Sequence, residues 1–129
     1  MNETITLFTE TAIDSCHHLE GYDGKCKNLH GHTWLVQAWI QGRDEQKDEV
    51  GILFDFGEIG EIKDKFDHKN IDEILDGFNG TAENITKVFL EILKDKRKEL
   101  EFRVRVYETA VLKKTYCQRQ TKGFDADYC

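Results

Sequence analysis

The chain has 129 residues, with 25 acidic against 18 basic side chains and a formal charge of −7. That length holds one domain with a real core but not two, and the acidic balance argues against a nucleic-acid partner. No run of about 18 apolar residues is present, so no membrane partner is expected. The opening Met-Asn-Glu-Thr-Ile-Thr lacks the basic and apolar regions of a secretory leader, which makes the cytoplasm the expected compartment.

Residues 3 to 17 alternate roughly between apolar and polar and are rich in Thr, Ile and Phe, which predicts a long first strand. The segment Glu20-Gly21-Tyr22-Asp23-Gly24-Lys25 is a loop. A second strand follows from about Gly31 to Gly42 and pairs with the first. Asp55 reads as an N-cap, with Glu58 completing a capping box. Ile59, Ile62 and Phe66 then fall on one face of a helix from about 56 to 65. Asp67-His68-Lys69-Asn70-Ile71 ends that helix, and Asp76-Gly77-Phe78-Asn79-Gly80 marks a turn.

Thr81 caps a second helix whose core stripe is Ile85, Val88, Phe89, Ile92 and Leu93, with Glu83 in its first turn. Phe102 to Tyr107 alternates strictly as a strand, and Ala110 to Tyr116 is expected to be its partner. The fold class is therefore α+β, an antiparallel four-stranded sheet in the order ββααββ with two helices on one face. Residues 1–117 make the domain, and residues 118–129 are expected to be an irregular polar tail. Exposed sheet edges give the chain reason to assemble, and joining sheets into a barrel removes those edges.

The chemistry concentrates in Cys26-Lys27-Asn28-Leu29-His30-Gly31-His32, with His17-His18 one loop upstream. On a strand His30 and His32 point to the same face. A third imidazole from the preceding strand would surround an ion with three nitrogens and leave a fourth position open, the composition of a catalytic zinc site. Alternation allows only one of His17 and His18 to join. If Cys26 also bound the ion, the site would be closed and structural. Unbound, Cys26 could act as a base if a cation or imidazole lowered its pKa. Lys25 and Lys27 could meet an anionic substrate. Cys16, Cys26, Cys117 and Cys129 are too scattered for a disulfide framework.

Asp14-Ser15-Cys16-His17-His18-Leu19, the Cys26 to His32 stretch, Gly51 to Phe56, Asp67-His68, Thr81-Ala82-Glu83-Asn84 and Tyr107-Glu108-Thr109 occur in one order. Together they resemble the 6-pyruvoyl-tetrahydropterin synthase family, and within it the 6-carboxy-5,6,7,8-tetrahydropterin synthase branch of queuosine biosynthesis. The resemblance implies a tunnelling fold, trimers around a barrel stacked into a homo-hexamer, and active sites between subunits. It implies a zinc-dependent lyase acting on 7,8-dihydroneopterin triphosphate. His17, His30 and His32 would bind Zn2+, and Cys26 would abstract a proton. Asp67 and His68 would be its relay or the opposing acid. Glu108 would hold the amino-pyrimidine edge of the pterin, with Thr81 and Glu83 near that pocket.

The resemblance leaves two alternatives. One is a 6-pyruvoyl-tetrahydropterin synthase, whose members have a longer gap between Cys and H-G-H than the three residues here. The other is a non-catalytic zinc-stabilised assembly module.

Overall fold

The computed structural model describes residues 3–75 and 78–128. Two long strands, β1 (Ile5–His17) and β2 (His30–Gly42), are followed by α1 (Gly57–Phe66), β3 (Lys69–Asn70), α2 (Ile71–Ile74) and α3 (Ala82–Lys96). The chain finishes with β4 (Glu101–Tyr107) and β5 (Tyr116–Gln120). The strands form one sheet in the order β3-β1-β2-β4-β5. Every pairing is antiparallel except β3, which lies parallel to β1 at Ser15 and Cys16.

The sheet is thus five-stranded and mixed, not four-stranded and antiparallel, and it does not close into a barrel within the chain. The extra strand arises where α1 stops. The Asp14 N–H donates to the Asp67 carboxylate at 2.9 Å, and the His68 N–H donates to the Asp14 carbonyl at 2.6 Å. These bonds draw the next two residues alongside β1. Asn70 then caps α2, its side chain accepting from the Asp72 N–H at 2.9 Å.

Alternation decides which side of the sheet is covered. Ile13 on β1, Trp34, Val36, Ala38 and Ile40 on β2, and Phe102, Val104 and Val106 on β4 are all buried. They meet Ile59, Ile62 and Phe66 of α1 and Ile85, Phe89 and Leu93 of α3 in one core. Phe66 and Phe89 stack across the two helices with ring centroids 5.6 Å apart. Thr81 caps α3 as its sequence predicts, accepting from the Asn84 N–H at 3.1 Å. The start of α1 differs from expectation. Phe56 holds the N-cap position with helical dihedrals, and the Asp55 carboxylate accepts from the Gly57 N–H at 2.8 Å. The expected capping box with Glu58 does not form.

Among the described residues no α-helix covers the opposite face. There Arg103 and Arg105 lie over the Trp39 ring at 5.6 and 5.1 Å, and Phe8 is 46% exposed beside Trp39. The end of the chain folds back here. Residues 110–115, expected to open the last strand, lie in the connection from β4 to β5, and their apolar members Val111 and Leu112 are exposed. Strand β5 instead runs into the segment expected to be irregular. Beyond it, Phe102 N–H donates to the Thr121 hydroxyl and Thr121 N–H to the Phe102 carbonyl, each at 2.9 Å.

Gln41 exchanges two hydrogen bonds with the Asp125 backbone, at 2.6 and 2.8 Å, and Phe124 is buried under Arg103. Cys129 and part of the turn expected at Asp76 to Gly80 lie outside the described residues. Because Phe124 fastens this segment to the sheet, Phe124→Ala should cost about 3 kcal/mol of stability. Urea unfolding measures this directly, and an unchanged midpoint would show that the segment does not contribute.

Candidate metal centre

The β1–β2 register determines the site. His17 stands directly opposite His30, and Ser15 opposite His32. With a side-chain period of two, all three imidazoles project from the helix-covered face of the sheet, beyond the last apolar pair, Ile13 and Trp34. His17 is 2% exposed. Ring centroids are 4.4 Å apart for His17 and His30, 5.0 Å for His17 and His32, and 4.8 Å for His30 and His32. One ring nitrogen from each lies within 4.8 Å of the other two. The Trp34 ring forms the floor, 5.0 Å from His17 and 5.3 Å from His32.

Hydrogen bonds behind the rings fix what the cluster offers. His17 Nδ1 contacts the Gly80 carbonyl at 2.5 Å, and His30 Nδ1 contacts the Asn28 carbonyl at 2.7 Å. A carbonyl can only accept, so both Nδ1 atoms carry the proton and both Nε2 atoms carry a lone pair. The Nε2 atoms of His17, His30 and His32 are all buried without a hydrogen-bond partner. Glu108 Oε1 stands 3.2 Å from His32 Nε2, an ion pair only when that imidazole is protonated. Burial holds the His32 imidazole below its ordinary pKa; Glu108 opposes that, and the neighbouring His17 and His30 reinforce it.

Each buried, unsatisfied polar atom costs about 1–3 kcal/mol. Three unpartnered ring nitrogens converge in one buried place, where a cation would satisfy them. The donor set, all imidazole, suits a divalent transition ion such as zinc.

Among the described residues Cys26 is outside this cluster. It sits on a 3-10 turn, Lys25–Lys27, whose loop is closed by the Leu19 N–H donating to the Cys26 carbonyl at 2.7 Å. Its thiol is half-buried. No hydrogen bond or ion pair joins it to Asp67 or His68 within the chain. Those two gather instead with Asp14. His68 has a left-handed backbone, φ 56°, and its ring is 79% exposed, with Nε2 3.7 Å from the Asp67 carboxylate. The hydrogen bond from the Asp14 N–H holds the Asp67 carboxyl below its usual range, with His68 and Lys63 contributing. A cleft of about 560 Å³ takes in His32, Thr33, Cys16 and His68.

Glu108 follows β4 and, with Glu83, Tyr116 and Cys117, lines a separate cavity of about 180 Å³. The Thr81 hydroxyl is engaged as a helix cap, so it orients the turn that carries Glu83. His18 points away from the triad, its Nδ1 2.6 Å from the Asp72 carboxylate, and that bond raises its pKa. Sequence reasoning missed Trp34, whose place two residues after His32 was a signal. It also missed the carbonyls of Gly80 and Asn28, which leave no mark in residue type.

Known proteins bear on this arrangement. The family model for 6-pyruvoyl tetrahydropterin synthase matches residues 6–119. A putative 6-carboxy-5,6,7,8-tetrahydropterin synthase of Pyrococcus horikoshii is 44% identical over 66 residues, 50% of this chain and 40% of that protein. The match thus spans less than half the length of that relative. The 6-pyruvoyl tetrahydrobiopterin synthase of Dictyostelium discoideum is 28% identical over 127 residues, covering 84% of this chain and 93% of its own. The structure of Caenorhabditis elegans 6-pyruvoyl tetrahydropterin synthase superposes with a TM-score of 0.73 at 23% identity, over 92% of this chain and 96% of that one. With a tunnelling fold, an imidazole triad whose Nε2 atoms are buried and a family match across nearly its whole length, the chain belongs to the 6-pyruvoyl tetrahydropterin synthase family of pterin synthases.

Proposed function

We propose that the protein is a zinc-dependent 6-carboxy-5,6,7,8-tetrahydropterin synthase. It converts 7,8-dihydroneopterin triphosphate and one water to 6-carboxytetrahydropterin, acetaldehyde and triphosphate. The observation that carries this reading is the set of three buried Nε2 atoms without partners, two of them held in the metal-ready tautomer by backbone carbonyls. His17, His30 and His32 hold the ion. Bound there, zinc supplies Lewis acidity that weakens the C–H and O–H bonds of a hydroxylated side chain.

The chain's own groups do the rest. Cys26, outside the cluster, takes the proton. The exposed His68, with Asp67 beside it, serves as relay or opposing acid, which suits an active site completed between subunits of a homo-hexamer built as a dimer of trimers. Glu108 accepts two adjacent N–H groups of the amino-pyrimidine edge, a bidentate pairing that fixes the ring. Glu83 stands across the same small cavity. Holding the pterin at Glu108 turns proton removal into an oriented, effectively intramolecular step. The cytoplasm is the proposed compartment.

A second reading, 6-pyruvoyl-tetrahydropterin synthase, keeps the side chain after triphosphate leaves. The Dictyostelium relative, matched over 93% of its length, favours it. The short gap from Cys26 to His30 favours the carboxy branch. Incubation with dihydroneopterin triphosphate separates the two: released acetaldehyde is expected, and an accumulating pyruvoyl product would overturn the choice.

Cys26→Ala should leave zinc content and melting temperature as they are while lowering turnover about 10²- to 10⁴-fold, the range for a lost general base. A fall in both zinc content and melting temperature would instead support a non-catalytic zinc-stabilised module. His17→Ala should lose zinc and turnover together, and metal analysis of the purified variant checks this.

A further inference from the structure

Asp72, in the first turn of α2, is joined to the triad by a short chain of hydrogen bonds. Its Oδ2 accepts from the His18 backbone N–H at 2.8 Å and contacts His18 Nδ1 at 2.6 Å. Its Oδ1 accepts from the Gly80 N–H at 3.3 Å. Gly80 in turn presents its carbonyl to His17 Nδ1. One carboxylate therefore ties down the peptide that follows His17 in β1 and the residue whose carbonyl aims the His17 ring.

Packing makes that link stiff. A Cβ placed on Gly80 would come within 2.9 Å of Ile71 Cγ2, 3.1 Å of His17 Cβ and 3.2 Å of Asp72 Oδ1. Gly80 is thus seated against the His17 side chain itself, and a shift at one moves the other. The carboxylate is only 15% exposed, so solvent does not readily take its place. Its backbone is held in turn by the Asn70 cap.

We infer that Asp72 is a positioning residue of the metal centre. Acting through Gly80, it fixes the orientation and tautomer of His17, so that His17 Nε2 faces His30 and His32. The inference rests on the reading that the three imidazoles bind a metal. Without the carboxylate the Gly80 N–H loses its acceptor, and Gly80 is no longer held where its carbonyl meets His17 Nδ1. The His17 Nδ1–H then loses its fixed partner, and the ring can rotate out of register with the other two.

The test is metal binding by the full chain. Zn2+ affinity is measured by competition with a chelator, and the visible absorption of the Co2+-loaded protein reports ligand geometry. Asp72→Ala should weaken Zn2+ binding by about 10- to 100-fold, the usual loss for removing such a partner, and should change the Co2+ spectrum. Asp72→Asn keeps one acceptor oxygen and should fall between Ala and the native chain; it carries the test if the Ala variant does not fold. His18→Ala leaves both the Gly80 bond and the His18 backbone bond in place, so its affinity should stay within about threefold of native.

Native affinity and an unchanged Co2+ spectrum in the Asp72 variants would overturn the inference. So would a His18→Ala loss equal to that of Asp72→Ala, because the carboxylate would then act through the imidazole and not through Gly80. If His17→Ala itself binds metal like the native chain, the underlying metal reading fails. If His17→Ala loses metal and the Asp72 variants do not, only the role of Asp72 fails.

Discussion

Three buried, unpartnered imidazole nitrogens facing one another are the constraint on which the rest of this structure turns. They come together because two strands pair with His17 opposite His30, and because His32 follows two residues later on the same face. A slip of one residue in that register would send one set of rings to the opposite face of the sheet. The pairing is held from the floor of the site outward, by Ile13, Trp34, Val36, Ala38 and Ile40 packed against α1 and α3. The hydrophobic core thus secures the geometry of the polar end.

The triad is also held from behind. Backbone carbonyls at Gly80 and Asn28 set the ring tautomers, and these come from segments far apart in sequence. Asn28 belongs to the loop between the paired strands, whereas Gly80 lies just before α3 and is anchored through Asp72 of α2. The short helix α2 adds Ile71 to the core, and with the short strand β3 it brings Asp72 to the flank of β1. Their place in the fold is explained by what they hold there.

Which parts could be read from the sequence follows from where each piece of information resides. Long periodic patterns marked β1, β2, α1, α3 and β4, and the density of histidine between residues 17 and 32 marked the triad. Strand β3, two residues long, has no period to detect. Strand β5 is Tyr-Cys-Gln-Arg-Gln, too polar to stand out beside Val111 and Leu112, which drew the expected strand into what is a turn. Phe124 was the apolar signal that the last segment returns to the sheet. The carbonyls that orient His17 and His30 were beyond reach, since any residue supplies one. No sequence pattern could relate Cys26 to His68, because that depends on tertiary placement.

The site divides between strand-borne groups and groups on turns in a way that suits its proposed chemistry. Imidazoles that must hold one geometry project from paired strands. The groups proposed to move protons sit elsewhere, Cys26 on a 3-10 turn and His68 at the end of a helix. A left-handed backbone at a residue with a Cβ costs about 1–2 kcal/mol. At His68 that conformation is held by its N–H bond to Asp14 and by Asp67, itself tied to β1. What the strain achieves is direction: the His68 ring points outward, largely exposed, into the cleft it shares with His32. A proton-transfer group aimed away from its own core can serve a centre completed by a second copy of the chain. A buried one could serve only its own.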